Sequence, residues 1–209
     1  MKPTKILITL AILLAPGLAL AQGYYGGGGP GYSNPPPPRD GFHQRAGRLT
    51  FGLGLGLGAM DDQGSKVTSC NNCNFNPLAL NFHLHVGGML SNRFALMGEY
   101  EGDFQTVHSD AYNGDTVLRQ DTLMLEGQFW IIPILWIKGG IGFAHLQADD
   151  AYFTYDFGGG MALMIGAGVE LLSARNFSVD LQGRLVRGNY NGLADSVTAG
   201  TIGIGVNWY

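Results

Sequence analysis

At 209 residues the chain can form one or two domains; 13% of it is charged, 45% is hydrophobic and 34 residues are glycine. That charged share is about half what soluble domains carry, and so much glycine argues against a helical architecture. The formal charge of −4, with no basic stripe, excludes nucleic acid as a partner.

Lys2 and Lys5 precede an apolar run from Ile6 to Leu20 that Pro16 and Gly17 interrupt, and Ala19-Leu20-Ala21 offers an Ala-x-Ala cleavage site. The pattern predicts a secretory signal peptide over 1–21; a membrane-spanning helix needs about 20 unbroken apolar residues. Loss of Lys2 and Lys5 takes the charge from −4 to −6, and the mature chain starts at Gln22, not at a cysteine that could carry a lipid. From 22 to 47 the chain is rich in Tyr, Gly and Pro without apolar period, the composition of a disordered segment.

From 48 to 209 the period is two. Leu49, Phe51, Leu53, Leu55, Leu57 and Ala59 share one face of a strand, and Thr50, Gly52, Gly54, Gly56 and Gly58 the other. Leu80, Phe82, Leu84 and Val86 then oppose Asn81, His83 and His85; Phe94, Leu96, Gly98 and Tyr100 oppose Met97, Glu99 and Glu101; Leu123, Leu125, Gly127 and Phe129 oppose Met124, Glu126 and Gln128, up to Pro133. A fifth strand sets Leu135, Ile137 and Ile141 against Trp136 and Lys138, a sixth Leu163, Ile165 and Val169 against Met164 and Glu170, a seventh Val179, Leu181 and Leu185 against Asp180 and Arg184. In the last, Ile202, Ile204, Val206 and Trp208 alternate with Gly203, Gly205 and Asn207, which makes it the natural neighbour of the first in a closed barrel without edges.

Two regularities orient the faces. Glu99, Glu101, Glu126, Lys138, Glu170, Asp180 and Arg184 all fall in the glycine register, leaving the bulky apolar face uncharged. A soluble barrel would have the reverse arrangement, so the apolar face reads as lipid-facing and the small, polar face as a narrow lumen. Long connections (Asp61 to Pro77, Phe104 to Arg119, Gln147 to Gly158, Gly188 to Ser196) alternate with short ones, as in an outer-membrane barrel whose termini are periplasmic. The expected fold is all-β: an eight-stranded antiparallel transmembrane up-and-down β-barrel.

With its signal sequence, eight amphipathic strands, segments such as Ile137-Lys138-Gly139-Gly140-Ile141-Gly142-Phe143 and an aromatic C-terminus, the chain resembles the small eight-stranded outer-membrane barrels that include the OmpA transmembrane domain and OmpX. The resemblance implies an outer-membrane location and recognition of the last strand, here Gly205, Val206, Trp208 and Tyr209, by the barrel-assembly machinery. Strict alternation puts Trp208, not the terminal Tyr209, on the lipid face.

Among candidate sites the seven inward charges stand first: Lys138 and Arg184 are the only cations among them and should bridge Glu99, Glu126, Glu170 or Asp180. Eight-stranded barrels are just wide enough for side chains to fill, which favours a structural core over an ion gate. His83 and His85 share a strand face and could bind zinc if a third ligand such as His145 converged; no metal or cofactor is assigned. Cys70 and Cys73, in a loop of an exported chain, read as a structural disulfide. Asp61-Asp62 and Asp149-Asp150 are loop acids that could hold divalent cations near lipopolysaccharide phosphates. The functional expectation is a monomeric, non-enzymatic outer-membrane protein, in contact with membrane lipid and lipopolysaccharide, with a structural or surface-interaction role. A narrow porin-like channel and a lipid-modifying enzyme are the alternatives.

Overall fold

The computed structural model describes residues 42–62, 65–66, 78–109, 114–150, 153–174, 176–191 and 196–209. The signal sequence and the Cys70–Cys73 pair lie outside them. Eight long strands follow one another: β1 (Leu49–Asp62), β2 (Ala79–Met89), β3 (Phe94–Ser109), β4 (Gly114–Ile132), β5 (Leu135–Asp149), β6 (Thr154–Ser173), β7 (Phe177–Tyr190) and β8 (Ser196–Trp208). Each pairs antiparallel with the next, and β8 returns to β1 from Phe51↔Trp208 to Asp62↔Val197, closing the barrel. Ser65–Lys66 adds a two-residue extension on the end of β1.

Alternation places the faces as expected. Leu55, Leu57, Leu125, Ile141, Ile165, Leu185 and Ile202 are exposed outward, while all seven charges of the glycine register are buried. Nothing but lipid makes such an outer surface favourable, because a contiguous apolar belt in water would drive aggregation. Arginine at Leu55 or Ile165 is therefore expected to cost about 2–4 kcal/mol of insertion free energy, and arginine at the exposed turn residue Ser91 almost none. Folding yields into lipid vesicles measure the difference, and equal yields would mean that the outer face does not meet hydrocarbon.

Several connections are shorter than their polar composition suggests. β3 and β4 remain paired as far as Ser109↔Gly114, so most of the segment expected as a loop over Phe104 to Arg119 is ladder. The reason is that alternation is needed only where one face meets lipid; beyond it, β-branched Thr106, Thr116 and Val117 still favour extended pairing. β5 and β6 likewise meet at Asp149↔Thr154, with Asp149 in the strand and the Asp150 carboxylate accepting from the Phe153 amide at 2.6 Å. Phe157 is the extra residue of a bulge, opposite the step from Leu146 to Gln147 and beside Gly158 at φ 94°, and it packs on the interior apolar cluster.

The interior is layered. Toward the long connections Met60, Met124, Leu146, Met164, Val186 and Tyr190 form a buried apolar cluster; at the short-turn end Phe42, Met89, Met97, Trp130 and Trp136 form another. The charges lie between and at the edge of the second. Sequence reasoning anticipated a small, polar lumen; instead methionines, flexible enough to fill irregular gaps, cap it at both ends. The packed chain also begins before position 48: Phe42 and Arg45 are buried, and Gly47 donates to the Met89 carbonyl at 2.7 Å.

Candidate functional site: the barrel interior

The central polar layer is made possible by the glycine ladder of β1. Gly54 and Gly52 lie beneath the rings of His83 and His85, and a Cβ on either would collide with imidazole atoms. The two histidines can thus lie across the barrel from β2 toward β7 and β8. Gln182 Nε2 lies 2.8 Å from His83 Nε2, and His83 Nδ1 lies 3.2 Å from Asn81 Oδ1. Because an amide nitrogen only donates, Nε2 accepts and Nδ1 carries the proton. Asn81 in turn donates its amide to Glu101 at 2.6 Å and to Asp103 at 2.8 Å.

The cations sit among these acids. Lys138 Nζ is 2.8 Å from Glu99 Oε2 and 3.2 Å from Glu126 Oε2. Arg184 Nη2 donates to Glu101 at 2.7 Å and to Glu99. Three carboxylates from β3 and β4, Glu99, Glu101 and Glu126, therefore share two cations from β5 and β7, while Asp103 takes its donor from Asn81.

The seven charges do not form one network. Asp180 accepts from Asn207 Nδ2 at 2.9 Å and from Trp136 Nε1 at 3.2 Å, two neutral donors. Glu170 belongs to a separate cluster around Arg45, whose Nη1 and Nη2 reach its two oxygens at 2.9 and 3.2 Å. Trp130 Nε1 donates to Glu170 at 2.8 Å, Ser173 Oγ also donates to it, and Arg45 Nη2 donates to the Ala174 carbonyl at 3.1 Å. The guanidinium lies 3.8 Å from the Tyr209 ring centroid. Of the four acids expected as partners of Lys138 and Arg184, Glu99 and Glu126 are met and Glu170 and Asp180 are not, because the latter two lie nearer the short-turn end and take other donors. A bulge at Leu171 helps: it lets Leu171 and Leu172 both face outward while Glu170 stays inside.

Sequence reasoning missed Arg45, Asp103, Gln182 and Trp130 as members of these clusters. Asp103 was legible, since it continues the Glu99 and Glu101 register of β3. Arg45 was not, because it precedes the first strand. Of the assembly-signal residues, Trp208 faces outward and stacks on Phe51 at 5.0 Å, whereas Tyr209 turns inward over Arg45, with its hydroxyl 3.1 Å from Ser178 Oγ. Gly205 pairs with Gly54 and Val206 with Leu53 at the seam. His145 does not approach His83 or His85; it lies toward the other end of the barrel, 3.1 Å from Asp156. The one group with metal-ligand proximity among the described residues is His85, Glu99 and Glu126, whose ligand atoms all lie within 4.8 Å of one another. The Lys138 ammonium already serves both of its carboxylates, so a metal ion would have to displace a buried cation.

No protein-family model matches the chain, and neither does any curated protein. Solved structures do. Neisserial surface protein A (NspA) superposes with a TM-score of 0.56 at 11% identity, over 77% of this chain and 96% of that one. The Yersinia pestis attachment invasion locus protein Ail, solved with the heparin analogue sucrose octasulfate, does so at 0.50 and 16% identity, again over 77% and 96%. The fold is that of the small eight-stranded outer-membrane barrels. At such identities the likeness extends to architecture: strand number, closure between first and last strands, and antiparallel order throughout.

Proposed function

We propose that this chain is an integral outer-membrane barrel that does not conduct, and that it acts structurally or through surface interactions at the end bearing its long connections. The observation that carries this reading is the sealed interior. A charged layer whose members are 0–5% exposed (Glu99, Glu101, Glu126, Lys138, Arg184) lies between two apolar layers, and Arg45 with Phe42 covers the short-turn end. A permeating ion would have to break buried ion pairs and cross a desolvated methionine layer, both costly in a low dielectric. The histidines are buried inside this layer in close contact with the glycine backbone of β1, which speaks against the lipid-modifying alternative.

Membrane lipid, including lipopolysaccharide, would surround the apolar belt, the terminal strand would present Trp208 and Tyr209 to the assembly machinery, and the chain would function as a monomer. Planar bilayers containing the refolded protein should show no unitary conductance, and labels within 67–77 should be reached on intact cells while labels at Ser91 should not. Discrete cation-selective steps would sink the sealed-barrel reading, and labelling of Ser91 alone would invert the topology.

A further inference from the structure

The outward faces of β5, β6 and β7 form a groove of about 700 Å³ whose two sides differ in chemistry. Phe143, Met161 and Leu163 line one side of it, all three exposed. Asn189 and Asn191 line its other side, on β7 and just past its end, and Gly159, paired with His145, leaves the floor open where another residue would carry a side chain. Pairing places Arg187 beside Leu163 and Asn189 beside Met161, and the Arg187 Nε donates to Asn189, so a guanidinium stands at the edge of the groove next to two of its lining residues.

Among the described residues, Arg187 differs from its neighbours on this outer face in having no acid. Arg119 pairs with Asp121 at 2.7 Å and His145 with Asp156 at 3.1 Å. Arg187 donates only to neutral oxygens, Asn189 Oδ1 at 3.3 Å and Ser196 Oγ at 3.1 Å, and among the described residues its Nη1 has no protein partner. An exposed cation beside amide donors and next to hydrocarbon-facing side chains complements an amphiphile with an anionic head. The planar fork of arginine suits phosphate oxygens in particular.

We infer that this groove binds a phosphate-bearing membrane lipid, with the phosphate on Arg187, Asn189 and Asn191 and an acyl chain along Phe143, Met161 and Leu163. The inference rests on the membrane reading above and adds a specific lipid site to it. The full chain is refolded into nanodiscs of phosphatidylcholine doped with phosphatidylglycerol, released into mild detergent and examined by native mass spectrometry, with heat-shifted gel migration as the check on barrel formation.

Wild type should retain one phosphatidylglycerol in preference to phosphatidylcholine, and Arg187→Gln should lower that retention about ten-fold, the worth of a charge-assisted hydrogen bond. Asn191→Asp, which sets a carboxylate on the polar side, should lower it independently. Equal retention of the two lipids by wild type, or unchanged preference in both variants, overturns the site. Displacement of the lipid by inorganic phosphate overturns it in favour of a free-anion site. Absence of a heat-shifted band in the wild type would instead refute the barrel-in-membrane reading itself.

Discussion

Arg184→Met should lower the unfolding free energy in lipid vesicles by about 3–5 kcal/mol, the usual cost of removing one partner of a buried ion pair. Its Nη2 serves both Glu99 and Glu101, each fully buried, and among the described residues no other cation is in hydrogen-bonding contact with Glu101. Methionine fills similar volume, so the loss reports on Glu101 left without its cation and Glu99 left with Lys138 alone in a dry interior, and not on a cavity. Lys138→Met should have a comparable effect through Glu99 and Glu126. Pairing Arg184→Met with Glu101→Gln should return part of the loss, since one stranded charge is then gone; urea titrations of the single and double variants provide the cycle. A single-variant loss below about 1 kcal/mol would place these residues in a hydrated lumen, where ion pairs contribute little.

Arg45→Ala should be similarly destabilising, by about 3–5 kcal/mol, although Arg45 lies outside every strand. Its guanidinium is bidentate to Glu170, donates to the Ala174 carbonyl and stacks on Tyr209, so it joins the segment before β1 to the end of β6 and the C-terminus. The side chains of Trp130 and Tyr209 share this cluster, so tryptophan emission should redden as the short-turn end admits water. Arg48→Ala is the internal comparison: its hydrogen bond to Asn176 is exposed at 3.0 Å, and its loss should cost less than about 1 kcal/mol. Equal effects of the two variants would show that residues 42–47 merely rest against the barrel.

How much of this was legible beforehand follows from which interactions are local. Leucine alternating with glycine from Gly52 to Gly58 determines a strand and its two faces without reference to any other part of the chain. The lipid-facing register needs only the observation that Glu99, Lys138 and Arg184 share the opposite one, because a charge on hydrocarbon is costly wherever its strand sits in the barrel. Closure was legible for a similar reason, since β8 repeats the pattern of β1 and unpaired edges in lipid leave backbone groups without partners.

Which acid meets which base was decided only by the tertiary structure. Register assigns a side chain to the lumen but not to a level within it; that depends on strand stagger and on bulges such as those at Leu171 and Phe157, which the local sequence does not announce. Asp180 accordingly found an amide and an indole, and Arg184 found Glu101. Arg45 and Glu170 are 125 residues apart, and the first belongs to a segment without periodicity. Its ordering comes from a buried carboxylate that needs a cation at the one end of the barrel where no strand supplies one.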